Sequence, residues 1–325
     1  MKQIKWGILA TGNIADKFAT SLAAQEDATM LAVGSRSISS ANTFADRWNI
    51  PRRYGSYQEL ANDPDIDVIY IATPHPSHHS NTMLCLHAGK HVLCEKPLTL
   101  NAAQAVECIT LARQKNLFFM EAMWTRFIPA IVQLNHWLDE GVIGQVRLVT
   151  ASITLNRPFD AEQRLFNLQL GGGALLDLGI YPLAFASMVL GKPSQITGFC
   201  HYAPTKVDEL DAVTLRYHNG ALAVLTCASV VAEPAEATIT GTKGYIKVHD
   251  PFYYPTKLTL DLDGKQTVKE IPFESNGYIH EIREVHYCLK AGQTESQIMP
   301  LDETLEIFKQ MDELRSQWGI SYPME

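Results

Sequence analysis

Along the first third of the chain, compact apolar runs alternate with stretches in which apolar residues return every three or four positions. "IKWGILA" is a short apolar run, and Ile14, Phe18 and Leu22 then recur at helical spacing. "TMLAVGS" predicts a second strand and "SSANTFADRW" a second helix. "DVIYIAT" is apolar without interruption, the texture of a strand buried on both faces of a parallel sheet. "HHSNTMLCLHAG" reads as a helix stopping at Gly89. "HVLC" is the next strand, "NAAQAVECITLARQKN" a helix capped by Asn101, and "LFFMEA" one more strand. This alternation predicts an α/β domain with a doubly wound parallel sheet.

Beyond about residue 123 the texture changes. Residues 194–271 carry β-type segments, "SQITGFCHY", "AVTLRYHNGALAVLTCASVV", "EATITGTKGYIKVHD" and "KLTLDLDGKQTVKEI". His218-Asn219-Gly220, Thr242-Lys243-Gly244 and Asp263-Gly264 read as hairpin turns of a meandering antiparallel sheet. Leu301, Leu305, Phe308, Met311, Leu314 and Trp318 mark a closing amphipathic helix. The expected domains are 1–122, which binds a dinucleotide, and 123–325, an α+β domain for substrate and oligomerisation. The helix at about 301–318 could pack back onto the first.

A length of 325 residues suits two domains, and 46% hydrophobic with 19% charged residues suits a sizeable core. The net charge of -8, with Lys and Arg scattered, offers no nucleic-acid or anionic-membrane footprint. No apolar run approaches the ~20 residues of a bilayer span. Six cysteines without a CxxC pair, mostly inside apolar runs, suggest free thiols in a reducing cytoplasm.

Between the first strand and helix, "GILATGNIA" approximates the dinucleotide fingerprint, with Ala10, Gly12 and Ala15 at its three small-residue places. Thr11, Gly12, Asn13 and Ile14 would bring backbone N–H groups to a pyrophosphate. An ordinary strand–helix turn is the plain alternative. At the end of the second strand an NAD site carries an acid, whereas here the chain reads Ser35-Arg36-Ser37. An arginine fork with hydroxyl donors suits a 2′-phosphate, so NADP(H) is the expected cofactor. Otherwise Arg36 stacks on adenine or faces solvent.

Three further stretches carry candidate chemistry. "HVLCEKPLT" ends an apolar strand in Glu95, Lys96 and Pro97. "EAMWTRF" follows the last parallel strand, and "GGGALLDLGIYP" sets Asp177 and Tyr181 four residues apart, on one helical face. Together with "ATGNIA", they resemble the glucose–fructose oxidoreductase/inositol dehydrogenase/MocA family. The likeness runs through the whole chain, down to "GISYPME", and is greatest to the dimeric dihydrodiol dehydrogenase and NADP-dependent D-xylose dehydrogenase branch.

The resemblance implies a Rossmann domain followed by a domain with an open-faced, mostly antiparallel sheet, whose free face is commonly buried in a homo-oligomer. It implies that Lys96 is the lysine of Glu-Lys-Pro, with a cis bond to Pro97. The catalytic histidine of many members falls on Tyr181. Hydride transfer from an alcohol needs a base for the hydroxyl proton, and a nearby ammonium would favour the phenolate that serves as one. Lys96 would tune Tyr181 and touch both the substrate oxygen and the nicotinamide ribose, with Asp177 as a supporting acceptor.

Trp124 and Phe127 could wall the nicotinamide or substrate, and Arg126 could reach either. Domain-junction packing is the alternative for all three. Thr73 and His75, in "TPHPSHH", are placed on the nicotinamide side beside Glu95. His75, His78 and His79 lack an acidic or cysteine partner at metal-binding spacing, so no metal is expected. Tyr278 and His280, in "NGYIHEI", would close the substrate pocket from the second domain. The expected activity is NADP(H)-dependent oxidoreduction at a secondary or anomeric hydroxyl of a sugar, polyol or cyclic trans-diol. The alternative is a protein that binds NADP(H) without turnover and regulates a partner.

Overall fold

The structure, a computed structural model, describes residues 3–325. The chain forms two compact units, one of residues up to 124 with 274–305 and one of 125–273 with 306–325.

The first unit holds six strands: β1 (Ile4–Leu9), β2 (Ala28–Gly34), β3 (Arg52–Tyr54), β4 (Val68–Ile71), β5 (His91–Glu95) and β6 (Phe119–Ala122). They lie in the order β3-β2-β1-β4-β5-β6, every neighbouring pair parallel. Helices α1 (Asn13–Ala23), α2 (Ile38–Trp48), α3 (Tyr57–Ala61), α4 (His78–His87) and α5 (Ala102–Gln114) fill the connections. This is the doubly wound Rossmann order, and its switch point between β1 and β4 is where such sheets take dinucleotides. All four residues of β4 are buried, as an uninterrupted apolar strand requires. Ser37, Ser56 and Asn101 cap α2, α3 and α5 with their side chains. Gly89, at φ 78°, follows the end of α4.

In the second unit, α6 (Pro129–Asp139) and α7 (Ile180–Leu190) accompany an eight-stranded sheet. Its strands are β7 (Val146–Thr154), β8 (Gln195–Tyr202), β9 (Asp208–Arg216), β10 (Leu222–Ala228), β11 (Ala237–Gly241), β12 (Tyr245–Val248), β13 (Lys257–Leu262) and β14 (Lys265–Glu270). The order is β14-β13-β12-β11-β7-β10-β9-β8, and only the central β7–β10 pair is parallel. The three expected hairpin turns join β9 to β10, β11 to β12 and β13 to β14. In the last, Asp263 and Gly264 are both left-handed, as a type I′ turn needs.

Ile180 through Ser187 are all buried, so α7 is a core helix, apolar all round. The stretch 168–190 is apolar and long enough to cross a membrane, but 83% of its most apolar window is buried within the protein. Alternation along β9 turns Asp211, Val213 and Leu215 inward and Leu210, Ala212 and Thr214 outward. On that outward face Leu210, Leu222 and Val224 are exposed, and Phe199 is 83% exposed.

After β14 the chain returns to the first unit. There α8 (Tyr278–Lys290) packs against α1, and α9 (Leu301–Trp318) begins before continuing into the second unit. Residues 274–300, expected in the second domain, therefore belong with the parallel sheet. Polar contacts hold them there. The Trp6 indole donates to His286 Nε2 at 3.0 Å, and Asn276 Nδ2 donates to the Lys17 carbonyl at 2.8 Å.

Candidate active site

The site residues named from the sequence fall into two groups, one on each unit. In the first, the β1–α1 turn has the features of a phosphate cradle. Ala10 adopts φ 91°, the left-handed backbone that explains why a glycine is usual there. Holding an alanine so costs on the order of 1–3 kcal/mol. Gly12 caps α1 without a side-chain hydrogen bond, and a Cβ added to it would meet nothing within 4 Å. The N–H groups of Asn13 and Ile14 open α1 beside the half-buried Thr11. Uncapped N–H groups under open space fit a dinucleotide pyrophosphate.

At the end of β2 the three candidates separate. Ser35 is buried, and the Ser37 hydroxyl caps α2 by accepting from Ser40 N. Arg36 is exposed, with its guanidinium near enough to the Tyr57 phenol to act on it. Burial raises the Tyr57 pKa, and Arg36 works against that rise. Arg36 is thus the member of the trio that presents charged donors outward, beside a tyrosine the sequence reading passed over.

Thr73 and His75 follow β4 and are buried. The Lys96–Pro97 bond is cis, and Lys96 is half-buried just past β5. His78 joins these two loops. It is fully buried, with Nδ1 2.7 Å from the Pro97 carbonyl oxygen and Nε2 2.7 Å from that of Thr73. His79 instead pairs with Glu107. Glu95 points inward and accepts from the Tyr70 hydroxyl. Burial, reinforced by the Glu95 charge, pushes the neighbouring Glu281 carboxyl well above its usual range. Trp124 stacks on Tyr278, ring centres 4.6 Å apart at 18°, so Tyr278 contributes to the first unit rather than the second.

In the second unit, Phe127 and Arg126 are buried, and Arg126 Nη2 donates to the Ala184 carbonyl of α7 at 2.8 Å. Asp177 lies in a wide turn, Leu175–Gly179, of the i→i+5 kind that often marks functional sites. Tyr181 follows in the first turn of α7, 8% exposed, its ring 5.0 Å from that of Tyr253. The sequence reading missed Arg164, whose Nη2 pairs with Asp177 Oδ2 at 2.9 Å. Burial opposes the guanidinium charge, but Asp177 and then Tyr181 outweigh it, and the Arg164 pKa is raised. A phenol so placed can carry a proton.

Residues 4–123 match the oxidoreductase family with an NAD-binding Rossmann fold, and residues 131–247 match the GFO/IDH/MocA C-terminal domain. The chain is 39% identical over 333 residues to trans-1,2-dihydrobenzene-1,2-diol dehydrogenase of Bos taurus, covering 99% of each, and 37% identical to that of Homo sapiens over 337 residues, again 99% of each. Among solved structures, a 3-ketoreductase from Actinomadura kijaniata in complex with NADP and TDP-benzene superposes with a TM-score of 0.86 at 26% identity, covering 97% of this chain and 98% of that one. An aldose–aldose oxidoreductase from Caulobacter crescentus, complexed with glycerol, shares the fold at a TM-score of 0.87 and 23% identity over 96% of both chains. Fold, phosphate turn and relatives define a nicotinamide-dependent dehydrogenase or reductase. The chain belongs to the Gfo/Idh/MocA oxidoreductase family.

The His78 bridge is directly testable. His78→Ala removes the buried imidazole that bridges the two carbonyls and should destabilise the protein by about 1–3 kcal/mol. His79→Ala, which loses a partly exposed contact with Glu107, should cost less than about 1 kcal/mol. Equal urea midpoints for the two variants would refute the bridge.

Proposed function

We propose that the protein transfers a hydride between NADP(H) and a secondary or anomeric hydroxyl of a sugar, polyol or cyclic trans-diol. Tyr181 is the general acid/base, assisted by the cationic Lys96. The observation that carries this reading is the near-buried Tyr181 phenol, four residues along the same helical segment from Asp177, which itself pairs with Arg164. When bound, the nicotinamide supplies the hydride acceptor or donor. In the oxidative direction the carbon loses its hydride, the hydroxyl proton passes to the Tyr181 oxygen, and a carbonyl remains. Reduction returns the same proton. Trp124, Phe127 and Tyr278 are assigned to substrate contact, and Thr73 and His75 to the cofactor side. The substrate range is supported by the names of the relatives, a dihydrodiol dehydrogenase and a ketoreductase. A panel of sugars, polyols and dihydrodiols, assayed by absorbance with NADP⁺ and NAD⁺, tests it.

NADP over NAD is favoured by Arg36 and by the lack of an acid in the Ser35-Arg36-Ser37 stretch at the end of β2. We also assign the outward face of the eight-stranded sheet to a second copy of the chain. Its apolar side chains include Phe199, Leu222 and Val224, and a self-complementary sheet face suits a two-fold contact.

Three outcomes follow. Arg36→Ala should weaken NADP⁺ binding by about 1.5–3 kcal/mol, the worth of a charged hydrogen bond, and spare NAD⁺. Equal affinities of the parent for both cofactors would overturn the assignment. Tyr181→Phe should lower turnover by ~10²–10⁴-fold while cofactor affinity holds, and the alkaline-rising limb of the oxidation profile should vanish. Retention of that limb would place the base elsewhere. Light scattering at micromolar concentration should report a dimer or larger; a monomer there excludes the sheet interface.

A further inference from the structure

The turn that carries Asp177 and leads to Tyr181 stands on a buried polar footing that the proposed chemistry does not itself use. Asp208, at the start of β9, is 0% exposed. One of its carboxylate oxygens, Oδ2, accepts from the Leu175 N–H, the first residue of the turn. The other, Oδ1, lies 2.4 Å from where a Cβ on Gly173 would be, and Gly173 has φ +125°. No side chain could stand at 173 with Asp208 in this position. At the far end of the same turn, a Cβ on Gly179 would come within 2.9 Å of Cys227 Sγ, and that thiol donates to Asp211 Oδ2 at 3.0 Å. Asp208 and Asp211 thus brace both ends of the segment, one directly and one through Cys227.

A fourth point of attachment comes from the C-terminal tail. The Tyr322 hydroxyl donates to the Gly172 carbonyl at 2.8 Å in a buried contact. Tyr322 is itself held by Arg315 of α9, whose guanidinium lies over its ring at 5.1 Å. Arg315 also clasps Glu325 through Nη1 and Asp312 through Nη2, each at 2.7 Å. The tail is therefore fastened at two residues, and one of them grips the glycine loop.

We propose that Tyr322 and Asp208 are positioning residues, a latch from the C-terminal tail and β9 that holds residues 172–181 in the conformation from which Tyr181 works. This rests on the proposed role of Tyr181 and adds the groups that keep it in register. Neither residue touches the phenol; each acts through the backbone of the segment that carries it.

The test combines hydrogen exchange over 172–181 with steady-state kinetics. Tyr322→Phe keeps the ring on Arg315 and removes only the donor to Gly172. It should speed exchange in the segment roughly tenfold and lower kcat roughly 10- to 100-fold, as a misplaced proton carrier does, with the KM for NADP⁺ unchanged. Asp208→Ala should do the same. Asp208→Asn keeps an oxygen for the Leu175 N–H and should restore both readouts to near parental values. Should Asp208→Ala fail to fold, the Tyr322→Phe and Asp208→Asn pair still decides. Parental exchange in Tyr322→Phe overturns the latch, and so does faster exchange with parental kcat, because the held segment would then not matter to turnover. If instead Tyr181→Phe alone keeps full turnover, the acid–base reading fails while the exchange result still reports on the latch.

Discussion

An indole N–H can donate a hydrogen bond and cannot accept one, and the first unit depends on that asymmetry. Because Trp6 donates to His286 Nε2, the imidazole proton sits on Nδ1, which faces Asp27 Oδ1 at 2.9 Å. Burial keeps the His286 pKa low, against the pull of Asp27, so the ring stays a neutral bridge between a donor and a carboxylate. Lys290 reinforces it from the same helix by binding Asp27. This short chain of contacts fastens α8 to the parallel sheet across some 280 residues of sequence. With α8 comes Tyr278 against Trp124, and Glu281 among the buried groups around Glu95.

The second unit solves a different problem. A helix that is apolar on every side, as α7 is, has no polar face to define its rotation. Directional contacts supply what amphipathy does not. Arg126 anchors the Ala184 carbonyl, and Arg164 holds Asp177 just before the helix begins. Arginines suit this work, since their planar forks fix orientation as well as charge.

Most of the local structure was legible because it is written in short-range patterns. Strand and helix periods, the Asn101 cap and the Asp263-Gly264 turn each need only a handful of adjacent residues. Lys96, Asp177 and Tyr181 stood out because motifs around them occur together in one chain. Arg164 did not, since it opens a single 3-10 turn with no spacing that ties it to Asp177. His78 drew notice only as a possible metal ligand; its bond to the Pro97 carbonyl spans 19 residues and leaves no local trace. The return of residues 274–300 was hidden for the same reason. A buried Trp6 on the first strand was the available clue, because its N–H had to find an acceptor somewhere.

That return also bears on how the protein is made. The chain passes between the units three times, after residues 124, 273 and 305. A ribosome that has completed all six parallel strands has not yet made His286, so the Trp6 indole N–H emerges without its native acceptor. The second unit in turn waits for Tyr322 before its glycine loop is gripped from the tail. Domains usually fold one after another from the N-terminus as synthesis proceeds. Here the first unit lacks residues 274–305 until the second unit's sheet has been made, and the second unit gains its Tyr322 contact later still.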